Sequence, residues 1–276
     1  MASAAPAAPQ AVWADTIPAH RQWFWLPSRV YTFCLVEWQK LRHDRTELLT
    51  RAIQPVLWLV IFGKTFSHIH AISTPNGVPY LDYLTPGVLA QSTLFVAVFY
   101  GIQVIWERDA GVLSKLMVTP TPRSALVLGK GFAASVRAAA QVIVVIVVAL
   151  LIGVHLKLAP WRIIGSMAAV ALGAAFFACL SVTVAGLVLS RERLMGIGQA
   201  ITMPLFFASN ALYPIALMPV WLQWVSRFNP LTYQVNALRG FLLGFPAHYW
   251  VDFGVLTLAV ALAVTVAATV LPRLVR

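Results

Sequence analysis

Charge is scarce in this sequence, and the scarcity falls mainly on one sign. Only 11% of its 276 residues are charged, nine of them acidic against 20 basic. A soluble domain carries roughly 25% charged residues, so an ordinary water-facing surface is excluded. Cysteine is nearly absent. Cys34 and Cys179 fall in different environments, one near a polar surface and one inside an apolar run, which excludes a disulfide framework and leaves no metal-ligand spacing. A nucleotide-binding loop is also missing: Gly129, Lys130 and Gly131 come without the upstream glycine of G-x-x-x-x-G-K-[ST]. No nucleophile clusters with a base, which argues against a hydrolase or transferase. His68 and His70 form an H-x-H pair, but no third ligand is in reach. The first 20 residues are rich in Ala and Pro and lack the apolar core of a secretory signal.

What is abundant is hydrophobic sequence, 60% of the chain. Six apolar runs, at 51–70, 83–105, 132–154, 163–189, 196–217 and 251–271, predict six membrane-spanning helices, each near the ~20 residues a bilayer requires. The fold class is therefore all-α and polytopic, with a flexible segment at 1–27 and a transmembrane domain at 47–276. Between them, 28–46 reads as an amphipathic interface helix, with Val30, Phe33, Cys34, Trp38 and Leu41 on one face and Gln39, Lys40, Arg42 and Arg45 elsewhere. The stretch 218–249 is too long and too punctuated for a plain loop. It predicts one or two short helices dipping part way into the outer leaflet, where protein or a water cavity must satisfy the backbone.

Lys and Arg set the orientation. Fourteen fall in the segments assigned to one side and five in those of the other, with Arg137 near the richer face. By the positive-inside rule the richer side is cytosolic, which puts both termini inside. Next to membrane segments, the net charge of +11 is explained by anionic headgroups and topology rather than by nucleic acid.

Between the second and third runs lies a polar stretch, 106–122, reading W-E-R-D-A-G-V-L-S-K-L-M-V-T-P-T-P. Glu107, Arg108, Asp109 and Lys115 cannot lie in hydrocarbon, where each costs ~2.5–3.5 kcal/mol or more. Val112, Leu113, Leu116 and Met117 recur at helical spacing, and Pro120 and Pro122 stop the helix. The expectation is a short amphipathic helix offering a compact apolar face to a soluble partner. A solvated loop carboxylate is the plainer reading of Glu107.

The block E-R-D-A-G-V-L-S-K-L-M-V-T-P-T-P-R resembles the E-R-E-x-G-T-L-E-x-L-x-V-T-P-x-x-R loop of ABC type-2 exporter permeases, the daunorubicin-resistance and lipo-oligosaccharide exporter type. A second block, 206–239, is similar to that family's F-x-S-x-x-x-x-P-x-x-x-M-P-x-W-L-x-x-x-x-x-x-N-P-x-x-Y-x-x-x-x-x-R segment. Asn210 departs from it, standing where many relatives have Gly, which bears on the inner surface of the pathway. The resemblance implies that the loop is a coupling helix seated on an ATPase subunit, with Glu107, Arg108, Gly111, Val112, Leu113, Leu116, Met117, Thr119 and Pro120 as docking residues. Gly111 and Pro120 would shape the turn. It further implies two copies of a cytosolic ABC ATPase, which hold ATP and Mg, a second copy of this permease, and no cofactor on this chain.

A path for hydrophobic or lipid-linked cargo is expected from Trp58, Phe95, Phe99, Met203, Phe206, Phe207 and Asn210, since aromatics and Met suit amphipathic compounds. Interhelical hydrogen bonding is the equal alternative for the polar residues nearby. Ion coupling would need acidic residues buried within helices, whereas every Asp and Glu is expected in a loop, a terminus or a helix edge.

Overall fold

The computed structural model describes residues 26–43, 45–69, 74, 77–118 and 123–274. Among these the chain is all helical, without a strand. In order come α1 (Leu26–His43), α2 (Arg45–Leu57), a π-helical segment (Trp58–Gly63), α3 (Lys64–Ile69), α4 (Tyr80–Asp109), α5 (Val112–Val118), α6 (Arg123–Ile152), α7 (Pro160–Val188) and α8 (Arg191–Phe207). A 3-10 turn (Ile215–Leu217) leads to α9 (Val220–Phe228), α10 (Pro230–Leu243), α11 (Tyr249–Val270) and a closing 3-10 turn (Leu271–Leu274).

Four helices among the described residues are long and apolar enough to cross a membrane: α4, α6, α7 and α11 with its 3-10 extension. The first and fifth expected runs differ. The first is divided by the π segment, and Pro55 lies inside α2. The fifth stops at Phe207 rather than 217, after Pro204, and the chain then turns through 208–213. Conversely, α4 runs on through Asp109 and α6 begins at Arg123. The first four residues of the polar stretch are thus the end of α4, because helical hydrogen bonding continues past the point where hydropathy falls, and 112–118 form the separate helix α5. Residues 1–25, expected from composition to be flexible, lie outside the described residues, as does His70.

α7 is the central post, packed on α4, α6, α10 and α11. Small residues allow this, since packing in lipid relies on close backbone approach. At Gly101 of α4 a Cβ would run into the backbone carbonyl of Ser181 in α7, and Ser181 Oγ donates to the Val98 carbonyl at 2.6 Å. Gly101→Val is therefore expected to cost ~1–3 kcal/mol by overpacking, seen as a lower melting temperature of the detergent-solubilised protein.

One acidic group departs from the expected placement at loops, termini and helix edges, although others at helix edges are buried too. Glu37, mid-way along α1, is only 2% exposed and sits 2.5 Å from Arg137 Nη2 of α6. Asp82 and Asp252 are also buried, near the starts of α4 and α11. Asp82 accepts from the His155 backbone N–H at 3.2 Å. α1 accordingly packs along α6, leaving Tyr31, Leu35 and Trp38 exposed. Helical spacing puts Trp38 on one face with Leu41, yet Leu41 is buried and Trp38 is not. Burial and the nearby Glu37 carboxylate both push the Cys34 thiol above its ordinary range, which leaves it a poor nucleophile.

Candidate functional site

The residues at the end of α4 are fastened inward, each to a different element. Glu107 pairs with Lys130 of α6, a lysine only 6% exposed, and accepts from Gln103 Nε2 at 3.3 Å. Arg108 donates through Nη1 to the Leu189 carbonyl at 2.8 Å, at the left-handed residue joining α7 to α8. Through Nε and Nη2 it also donates to Asp109 Oδ1, at 3.0 and 2.8 Å. The other oxygen of Asp109 accepts from Arg191 of α8, whose guanidinium lies 5.7 Å from the Trp106 ring. Three motif residues thus bind one helix end to α6, to the α7–α8 turn and to α8.

The turn into α5 is made by Ala110 and Gly111. Ala110 N–H donates to the Trp106 carbonyl and Gly111 N–H to that of Arg108, both at 2.9 Å. Gly111 has φ +69°, which a β-carbon disfavours, so glycine is the residue that turns the chain here. α5 then divides the apolar set. Leu113, 1% exposed, packs with Ile105, Leu126, Val127 and Leu194, and Leu116 packs against the same cluster. Val112 is 43% exposed, with Ser114 and Lys115 also outward. Sequence spacing groups Val112 and Leu113 on one knob, but Leu113 and Leu116 are the root that seats α5 in the protein itself. The outward surface is Val112, Ser114 and Lys115, with exposed Trp106 at the end of α4. Met117 lies in α5 with its side chain outside the described residues, and Thr119 and Pro120 lie outside them altogether.

The predicted pathway residues form two neighbouring sets. Trp58 stacks on Phe62 with centroids 4.3 Å apart and meets Phe206 edge-on at 5.8 Å, and Phe206 meets Phe207 at 5.5 Å. The series continues through Phe66 to Tyr80, whose hydroxyl donates to the Leu212 carbonyl. Phe95 and Phe99 line a separate groove between α2 and α4, to which α6 adds Gln141. Met203 is half-buried one turn before Phe206 and Phe207. Asn210 lies in the turn after α8 and is buried. Its side-chain Nδ2 donates to Asn236 Oδ1 at 2.6 Å, and its backbone carbonyl accepts from Arg239 Nη2 at 2.8 Å.

Here Asn210 ties the end of α8 to α10. Arg239, over the Tyr83 ring at 3.8 Å, completes the tie. Lys130, Leu189, Arg191 and Asn236 do not stand out in the sequence as site residues, whereas Arg239 is the arginine that closes the 206–239 block. Lys130, Arg191 and Asn236 show there only a basic or amide side chain with nothing local to pair it, and Leu189, which acts through its carbonyl, shows no signal at all. Among the described residues no three His, Cys, Asp or Glu gather to hold a metal.

Comparison with known proteins places this arrangement. The chain is 28% identical over 202 residues to a protein of Cyanophora paradoxa named as a putative transport permease, covering 72% of this chain and 69% of that one. It is 26% identical to a daunorubicin resistance ABC transporter permease protein of Streptomyces coeruleorubidus, covering 85% and 81%. It is 24% identical to nodulation protein J of Rhizobium leguminosarum bv. viciae, covering 82% and 86%. Residues 29–243, from α1 through α10, match a single family along their whole length. A bundle of apolar helices with a short helix slung between two long ones is thereby accounted for: the chain belongs to the ABC-2 type transporter family.

Proposed function

We propose that this chain is the permease subunit of an ATP-driven exporter, working as two copies with two cytosolic ABC ATPase subunits that supply ATP and Mg. The subunit is set in a bacterial plasma membrane with six spans and both termini inside. The carrying observation is the way the end of α4 is fastened. A push on α5 reaches α4 through the Gly111 turn, α6 through Glu107–Lys130, and α8 through Arg108, Asp109 and Arg191. α8 ends in the aromatic series Trp58, Phe206 and Phe207. Motion at one end of the bundle therefore has a connected route to the other.

The cargo is a hydrophobic or amphipathic compound of drug or lipid type, taken from the cytoplasm or inner leaflet. Export of a lipid-linked polysaccharide or lipo-oligosaccharide by the same architecture is the second reading, favoured by the resemblance of the 106–122 and 206–239 blocks to exporters of that type. No bond of the cargo is broken.

Val112→Asp and Lys115→Glu alter the outward face of α5 and touch no buried partner. Each is expected to abolish co-purification with the proposed ABC ATPase partner, while stability changes by only about 0.5 kcal/mol. Leu113→Asp, by contrast, buries a charge and unfolds the inner end. Undiminished pull-down of both outward variants would reject the docking role. A membrane-anchored sensor of an ATPase would instead show no cargo movement into reconstituted vesicles.

A further inference from the structure

At the end of the bundle opposite α5, two cations meet without a counterion. α7 begins at Pro160 and α10 ends at Leu243. Arg162 Nη1 donates to the Phe241 carbonyl at 2.8 Å, and its guanidinium lies 4.7 Å from the Trp161 ring. Beside it the Lys157 backbone N–H donates to the Leu242 carbonyl at 2.8 Å, and the Gly244 N–H to that of Gly240 at 3.0 Å. Gly244 closes α10 in the left-handed conformation and is exposed. The side chains of Lys157 and Arg162 converge over it. Lys157 Nζ lies 2.7 Å, and Arg162 Nη1 3.3 Å, from the point where a β-carbon on Gly244 would stand, so the two nitrogens are no farther apart than those distances added, about 6 Å.

Cations at a helix C-terminus are ordinarily explained by the carbonyls they cap. That explanation covers one of these two. The carbonyls of Gly240, Phe241 and Leu242 are already taken by the three bonds above, and the Lys157 ammonium makes none of them. No carboxylate answers it either. Across 64–82, 153–162 and 208–252 the sequence has two acidic residues, Asp82 and Asp252. Both are buried. Asp82 faces His155, at 3.2 Å from its backbone N–H and 3.4 Å from Nδ1. Among the described residues neither carboxylate pairs with Lys157 or Arg162. The start of α7 adds the positive end of a 29-residue helix whose first turn holds no acid. Like charges this close, at such a helix end, call for an anion between them.

The surroundings select its source. Trp161, Ile163 and Ile164 are exposed at the start of a helix long and apolar enough to cross a membrane. Tryptophan at such a boundary marks the level of the headgroups. Trp161 meets Phe241 edge-on at 6.0 Å, and Phe241 stacks on Tyr249 at 4.4 Å, which joins α7, α10 and α11 beneath the two cations. We propose that Lys157 and Arg162 bind the phosphate of an anionic phospholipid, whose acyl chains descend past Trp161 and Ile164. In the proposed orientation this is a lipid of the outer leaflet. Bound there, it clamps the end of α10 to the start of the central post. A zwitterionic headgroup brings its own ammonium against the same cations and is disfavoured.

The test uses full-length permease purified in nonionic detergent. Phosphatidylglycerol and phosphatidylcholine with the same brominated acyl chains are the probes, read by quenching of tryptophan fluorescence. The Trp161 share is the difference from Trp161→Phe. Phosphatidylglycerol is expected to quench Trp161 at the lower concentration. Lys157→Gln removes no side-chain bond among the described residues. It is expected to weaken phosphatidylglycerol binding about fivefold, the contribution of one basic side chain near an anionic membrane surface, and to leave phosphatidylcholine unchanged. Lys157→Arg keeps the charge and should keep the preference. Equal affinity of the unaltered protein for the two lipids, or a Lys157→Gln variant that loses both or neither, would overturn the proposal. A lower melting temperature for Lys157→Gln with its lipid preference intact would make the lysine a cap of α10 and nothing more. Displacement of phosphatidylglycerol by millimolar inorganic phosphate would make the ligand a soluble phosphate and sink the lipid assignment. ATPase co-purification is expected to survive Lys157→Gln, because α5 lies at the other end of the bundle, so failure of this site and failure of the docking reading are separate results.

Discussion

Replacing Glu37 by alanine is expected to destabilise the protein by about 3–5 kcal/mol, the cost of breaking a buried ion pair by removing one partner. Glu37 is 2% exposed and its carboxylate lies 2.5 Å from Arg137 Nη2, an arginine whose side chain is itself only 12% exposed. Arg137 also lies 5.8 Å from the Tyr100 ring of α4. The pair thus fixes α1 to α6 beside α4, and Glu37→Ala leaves the guanidinium buried without its carboxylate. Replacing both residues by glutamine and methionine should be far milder, since removing a buried pair whole also removes its desolvation cost. Thermal unfolding of the single and double variants in one detergent measures this. Additive losses would show that the two side chains do not act as a pair.

Charge reversal at Glu107 is the second large effect. Glu107→Lys puts a second ammonium against Lys130, which is 6% exposed and cannot swing into water without leaving α6. Because the Glu107 side chain is 21% exposed, the cost falls toward the lower end of the ~3–5 kcal/mol typical of a broken buried pair. The functional cost is larger, since the strut between α4 and α6 is gone. Cargo-stimulated ATPase activity of the reconstituted complex is expected to fall to the unstimulated level while the ATPase still co-purifies. Adding Lys130→Glu restores the pair with its charges exchanged, and should recover both stability and stimulation. If the double reversal behaves no better than the single one, Glu107 serves the partner's surface rather than Lys130.

Several features of this architecture are legible in the residues alone. The shortage of charge, the long apolar runs and the polar stretch at 106–122 define a polytopic helical protein with a wet segment between its second and third runs. The motif gives Gly111 to the turn, and its φ of +69° is the geometry that needs glycine. Trp58, Phe206 and Phe207 belong to one expected pathway and do touch, although 148 residues separate Trp58 from Phe206. Less legible are the helix limits. Hydropathy marks where a segment leaves hydrocarbon, but hydrogen bonding and side-chain struts carry α4 on through Glu107, Arg108 and Asp109. The fifth run is overextended for the opposite reason: 208–217 is largely apolar, yet it is pulled into a turn by Asn210, Asn236 and Arg239.

The sequence alone determined the class of molecule, the side of the bundle where charge gathers, and the family, because these follow from composition and from short blocks of contiguous residues. Tertiary structure decided the roles. Periodicity can say that Leu113 and Leu116 belong to an apolar helix face, but only the packing of α5 on α4, in one cluster with residues of α6, α7 and α8, turns that face inward and leaves Val112 and Lys115 outside. Likewise Glu37 and Arg137, 100 positions apart in the chain, cannot be paired from local pattern. Ion pairs of that range exist only once helices are side by side, where loss of water from both groups makes each depend on the other.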